Sequence, residues 1–190
     1  VLALGINSGD YISFDAKFEY TKSGFIKSRH LDDKASVAVL LGLLKEISEG
    51  KAVPDEKLKI LISNYEEVGF GASWLPGDIK EFIAVDMGAI GDDLNGDEYS
   101  VSICAKDSAG PYDYELTNKL IALAKDNGID HVVDIFPHYA SDVSAAYRGG
   151  NDIRGALIGQ GVHASHGMER THEKAIANTL KLLKAYVGII

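Results

Sequence analysis

Four short stretches of this chain carry side chains able to hold cations and move a proton. Asp32 lies in Arg29-His30-Leu31-Asp32-Asp33-Lys34. Glu66 and Glu67 are adjacent in Asn64-Tyr65-Glu66-Glu67-Val68-Gly69. Asp86 lies in Ala84-Val85-Asp86-Met87-Gly88, and His166 in His163-Ala164-Ser165-His166-Gly167-Met168-Glu169-Arg170. Each is expected where a strand or turn ends. Carboxylate oxygens and an imidazole nitrogen suit divalent ions such as zinc or cobalt. Two such ions with a spare carboxylate beside them make a unit that hydrolyses amides.

Each residue also has a plainer role open to it. Asp32 follows an expected strand and precedes a helix, where ligands collect in open α/β sheets. One carboxylate can bridge two ions about 3.5–4 Å apart, but Asp32 or Asp33 can equally cap the helix. Adjacent acids at a strand end point in different directions. One of Glu66 and Glu67 can therefore bind metal while the other takes a proton from water and returns it to a departing amine; a solvated acidic turn is the alternative. Asp86 directly follows an apolar run, and burying an unpaired carboxylate is costly. A cation would offset that cost, and a turn or cap is the rival. His163, His166 and His172 compete for one ligand position. His166 is favoured by its polar, Gly-containing turn, whereas His172 can simply finish the turn before the last helix. Arg170 can hold a substrate carboxylate or pair with Glu169. The chain has no P-loop, no dinucleotide-binding Gly pattern and no His-Glu-x-x-His helix. Ser141-Asp142 and Ser144 lack the setting of a nucleophile elbow.

The elements that must position these groups alternate between strand and helix. Tyr11–Phe14, Phe18–Tyr20 and Phe25–Ser28 read as short strands, with Lys22-Ser23-Gly24 turning the chain into the last of them. Lys34 to Gly50 is helical, with Val37, Leu40, Leu41, Leu44 and Ile47 at three- and four-residue steps, and is apolar enough to be well buried. Strands are expected at Lys57–Ser63, Glu81–Val85, Tyr99–Ala105, His131–Phe136 and Arg154–Ile158. Helices are expected at Gly71–Leu75, Asp113–Gly128, Asp142–Tyr147 and Thr171–Val187. Several strands are continuous apolar runs, as in a sheet covered on both faces. The expected fold is a three-layer α/β/α sandwich with a mixed, mostly parallel sheet. Residues 1–22 form the end of a small β-rich unit and residues 23–190 an α/β body.

The 190 residues suffice for a sizeable core, and the net charge of −9 speaks against a nucleic-acid groove. The single Cys104 excludes an internal disulfide and a Cys-rich zinc module. One unpaired thiol fits a reducing compartment, so a cytoplasmic location is expected. The longest apolar stretch, Ala35 to Leu44, is too short to span a bilayer. No charged-then-apolar leader opens the chain, and Val1-Leu2-Ala3-Leu4-Gly5 reads like the inside of a folded unit.

The order of these motifs resembles the M42 family of metallo-aminopeptidases. The matching stretches are Gly24 to Ala35, Glu66-Glu67-Val68-Gly69, Val85-Asp86-Met87-Gly88, Ser141-Asp142 and the His166 segment. The resemblance covers essentially the whole chain. It implies a zinc-exopeptidase-like fold in which Asp32 bridges two divalent ions, zinc or cobalt. Asp86 would bind one ion, Glu67 and His166 the other, and Glu66 would be the general base. It further implies cleavage of the N-terminal residue from peptides and homo-oligomers such as dodecamers. Two departures stand out. The family's His-x-Asp motif is missing, which implies a chain beginning late in the small dimerisation domain, with one metal site short of its His and this portion inactive by itself or holding one ion. His163-Ala164-Ser165-His166-Gly167 also stands where the family often shows an aromatic before His-Ser-Pro. Related zinc carboxypeptidases or deacylases, and an inactive binding or assembly module, are the alternatives.

Overall fold

The structure, a computed structural model, describes residues 2–189; Val1 and Ile190, the outer ends of the two expected units, lie outside the described residues. The elements run β1 (Glu19–Tyr20), β2 (Phe25–Ser28), α1 (Leu31–Ser48), β3 (Glu81–Val85), β4 (Gly88–Ala89), β5 (Val101–Asp107) and β6 (Gly110–Pro111). They continue with α2 (Tyr114–Asp126), β7 (His131–Ile135), α3 (Asp142–Arg148), β8 (Arg154–Val162), β9 (Glu169–His172) and α4 (Glu173–Tyr186). A single turn of 3-10 helix, Glu66–Val68, lies between α1 and β3.

β8 organises the main sheet. β3 and β4 lie parallel to it on one side and β5 antiparallel on the other, with Ile103 opposite Ile158 and Cys104 opposite Leu157. β5 in turn pairs with β7 in parallel and with the short β6 antiparallel. Alternate side chains leave opposite faces of a strand, and both faces here are covered. Ala156 and Ile158 of β8, with Val101 and Ile103 of β5, pack under Val39 and Leu43 of α1, Leu116 and Leu120 of α2, and Leu182 of α4. Leu157, Cys104 and Ala84 face the other way, onto Val143 of α3, Tyr112 and Phe136. This is the three-layer α/β/α order, and it explains why the middle of β5 and of β8 is mostly apolar. Each fully buried Leu or Ile contributes about 1.5–3 kcal/mol.

The helices start where local chemistry dictates. The Asp113 side chain accepts from Leu116 N at 2.7 Å to cap α2, Ser141 accepts from Val143 N to cap α3, and His172 Nδ1 accepts from Lys174 N to cap α4. α1 is the exception. His30 precedes it in a left-handed conformation with no side-chain cap, Asp32 and Asp33 are non-helical, and the peptide bond between them is cis. The capping role open to these acids is therefore not the one they take.

Several sequence expectations are corrected. Tyr11–Phe14 forms no strand, and its side chains are exposed. Gly71–Leu75 is a turn rather than a helix. Residues 57–63 run without joining a ladder among the described residues, leaving Leu61 50% and Ile62 49% exposed. α1 buries Ala35, Ser36, Val39 and Leu43, while Leu41 and Leu44 point outward. β9 was not expected, because its inward residues Glu169, Thr171 and His172 are polar and carry no apolar alternation. Among the described residues no helix is long and apolar enough to cross a membrane.

Candidate metal centre

A small second sheet draws two of the motifs together. β2 lies between β1 and β9, and Ser28 of β2 is in register with Glu169 of β9. The chain after β2 carries Asp32, and the loop before β9 carries His166. His163 and Arg170 close that loop by exchanging backbone hydrogen bonds at 2.8 and 3.1 Å. Within it Ala164 and His166 both adopt positive φ, 58° and 63°. Non-glycine residues held there store backbone strain, a feature concentrated at functional sites.

Glu169 locks the two segments. It is buried, and its Oε2 accepts from Asp32 N at 3.0 Å while Oε1 accepts from His166 N at 2.9 Å. Ser165 Oγ donates to Asp32 Oδ2 at 2.8 Å. His166 Nε2 then lies 3.4 Å from Asp32 Oδ2 and 3.1 Å from Glu67 Oε2. Glu67 arrives on the 3-10 turn, which Gly69 ends with a left-handed φ of 82°. Asp86 comes from the end of β3, where its N donates to Ile158 O of β8 at 2.9 Å. β8 can approach that closely because residue 159 is glycine: a Cβ there would run into the Asp86 carbonyl oxygen. Ser36 Oγ donates to the same carbonyl, and Met87 N to Asp86 Oδ1 at 2.6 Å.

Two groups of possible ligands result, Asp32–Glu67–His166 and Asp32–Asp33–Asp86, with the ligand atoms of each group within 4.8 Å of one another. Asp32 belongs to both. Burial is the main force on the protonation of these acids, with like charges second. Asp86 is pushed well above the usual carboxylate range by burial and then by Asp32 and Glu66. Burial and Asp86 lift Asp33 to about 10. Glu66 rises to about 7 through burial, then Glu67, Asp142 and Asp32. Glu67 is raised by burial and Asp32, with His166 opposing them. Asp33 Oδ1 is buried without a hydrogen-bond partner. Buried and half-buried carboxylates this close, with no ammonium or guanidinium paired to them among the described residues, call for a cation. The donor set of oxygens and one imidazole fits a divalent metal.

The centre opens into a cleft of about 700 Å³. Asp32, Glu66, Glu67, Asp86 and His166 all line it, so the structure brings these expected residues together. His163 does not join them: it is exposed and does not line the cleft. His172 caps α4 and bonds Ser23 O. Arg170 is also absent from the cleft. It forks onto Glu98, with Nε–Oε1 at 2.5 Å and Nη2–Oε2 at 2.9 Å, and stacks over Phe25. Its expected partner Glu169 is turned inward. Sequence reading missed Arg148, His138 and Tyr139, which line the cleft. No local pattern singles them out, because the fold alone carries them there.

The M42 glutamyl aminopeptidase family model matches residues 1–182. A Bacillus subtilis (strain 168) protein named as an aminopeptidase, YhfE, is 54% identical over 185 residues, which are 97% of this chain and 54% of that protein. Among solved structures, aminopeptidase APDkam598 from Desulfurococcus kamchatkensis superposes with a TM-score of 0.79 at 20% identity, covering 98% of this chain and 55% of its own. The TET1 peptidase of Pyrococcus horikoshii gives 0.77 at 23% identity, covering 90% and 52%. These two share the fold. The chain spans about half the length of the relatives it matches.

Proposed function

The chain belongs to the M42 glutamyl aminopeptidase family, and from that premise we propose that the whole protein is a metal-dependent aminopeptidase, with Glu66 as its general base. The carrying observation is that Asp32 is common to two adjacent ligand groups beside the half-buried Glu66. Glu67 and His166 would complete one site with Asp32, and Asp86 would hold the other ion. Bound there, divalent cations such as zinc or cobalt supply Lewis acidity to the scissile carbonyl and to the attacking water.

The rest falls to the chain's own residues. Glu66 takes the proton of the attacking water and delivers it to the departing amine, a role suited to a carboxyl near neutrality. Glu169 and Ser165 hold Asp32 and the His166 loop in place. Asp93 adds a further carboxylate to a lining whose acidity suits the ammonium of a free peptide N-terminus. Residues 1–22 are then the end of a small β-rich unit and 23–190 the catalytic body. Assembly into closed homo-oligomers is included, on the precedent of the TET1 peptidase, described as forming a tetrahedron or octahedral shell, as is a cytoplasmic location.

The test uses the native protein loaded with zinc or cobalt and paired peptides with free and acetylated N-termini. Only free-amine peptides should be cleaved. Glu66→Gln should lower turnover by roughly 10²–10⁴-fold while metal content by elemental analysis stays constant. Equal cleavage of acetylated peptides would sink the reading in favour of a deacylase or carboxypeptidase.

A further inference from the structure

Arg148 ends α3 and lines the cleft. Arg154 and Arg170, the other arginines of the α3–β9 region, are spent on Glu81 and Glu98. Arg148 is not: among the described residues no carboxylate lies within ion-pair distance of it. Its recorded partner is a neutral one, the Gly69 carbonyl oxygen, which accepts from Nη2 at 3.3 Å. That distance lies beyond the usual N–H···O range. A guanidinium carries five N–H donors in a flat fork, and this single contact leaves the others free. Asp93 and the four carboxylates of the centre, Asp32, Glu66, Glu67 and Asp86, line the same space. Once cations answer the four at the centre, Arg148 is an exposed positive charge on the wall of a cleft able to admit a short peptide.

We propose that Arg148 is a specificity-determining residue that binds a carboxylate of the peptide substrate. The inference rests on the aminopeptidase reading of this cleft. A planar, bidentate anion matches the fork geometry of arginine better than a point charge does. Gly69 ends the 3-10 turn that carries Glu66 and Glu67, so its weak contact with Arg148 places the guanidinium beside that turn. A peptide offers such a carboxylate in two places: the side chain of an N-terminal Glu or Asp, or its own C-terminus when the peptide is very short.

Four substrates separate these sources in the native, metal-loaded protein. Glu-p-nitroanilide carries only the side-chain carboxylate, and Leu-p-nitroanilide carries none. Leu-Gly carries only the C-terminal carboxylate, and Leu-Gly-amide lacks it. Arg148→Ala should lower kcat/KM about ten- to a hundredfold for one carboxylate-bearing member of a pair, chiefly through KM. The matched neutral substrate should change less than about threefold. Arg148→Lys should restore part of the loss. Loss on Glu-p-nitroanilide assigns the contact to the side chain, and loss on Leu-Gly assigns it to the C-terminus. An equal drop in all four would overturn the proposal and leave Arg148 as a brace for the Glu66–Glu67 turn, as would no change in any. Failure of the unsubstituted protein to hydrolyse any of the four would instead overturn the aminopeptidase reading and this contact with it.

Discussion

A carboxylate as enclosed as Asp86 keeps its charge only against a cation. Asp33 and Glu66 share that situation in degree, lifted to about 10 and about 7. In an unfolded chain such groups lose their protons near pH 4. Without cations the folded chain thus retains protons that the unfolded chain has already released. The contribution of these groups to stability is full below about pH 4 and declines as pH climbs through the raised values. Metal uptake must expel those protons. Zinc titrated at neutral pH should release protons, seen as a dependence of calorimetric heat on the buffer's ionisation enthalpy, and affinity should rise with pH. Identical heats in all buffers would contradict this. At this scale the residues that meet are legible in the sequence: Asp32, Glu67, Asp86 and His166 all line one cleft. It is a poor guide to arginines. Arg148 and Arg170 look alike in the chain, and only their places at the end of α3 and on β9 send one to the cleft and the other to Glu98.

Elements succeed or fail as signals according to what covers them. β5 and β8 are legible because apolar layers lie on both faces. β9 is not, because its inward side chains make polar bonds: Glu169 to Asp32 N and Thr171 Oγ1 to Gly161 O. The junction of β3 and β8 is invisible for another reason: its key residue is a glycine whose use is to have no side chain. Gly159→Ala should force β8 away from the Asp86 carbonyl. The expected cost is roughly 1–3 kcal/mol, read as a lower thermal midpoint, together with weaker metal binding because Asp86 moves with its backbone. A thermal midpoint and metal affinity both unchanged would show that β3 yields freely.

For the molecule as a whole, the centre is a knot among distant parts of the chain. It joins the start of α1, the 3-10 turn, the end of β3 and the β8–β9 loop. Ions bound there would stabilise the native state alone, by about 2.7 kcal/mol when free metal exceeds the dissociation constant a hundredfold. Dialysis against a chelator should therefore lower the melting midpoint, and zinc or cobalt should restore it; a midpoint indifferent to both would argue against ions at these residues. The three-layer order could be foreseen from alternating elements, but the register that ties Ser28 to Glu169, and so closes the centre, is set by long-range pairing that no local pattern encodes.

The unpaired stretch Leu58-Lys59-Ile60-Leu61-Ile62 has a consequence for handling the protein in bulk. Four of its five side chains are aliphatic, and its backbone joins no ladder. Runs of this kind seed intermolecular β-stacking unless a charge interrupts them. Lys59 is that interruption, and Asp78 holds it and neighbouring Lys57 in place. Replacing Lys59 by Val should make the protein scatter light increasingly with concentration and time, at unchanged secondary structure by circular dichroism. A clear solution at high concentration would mean that other surfaces already keep the stretch apart.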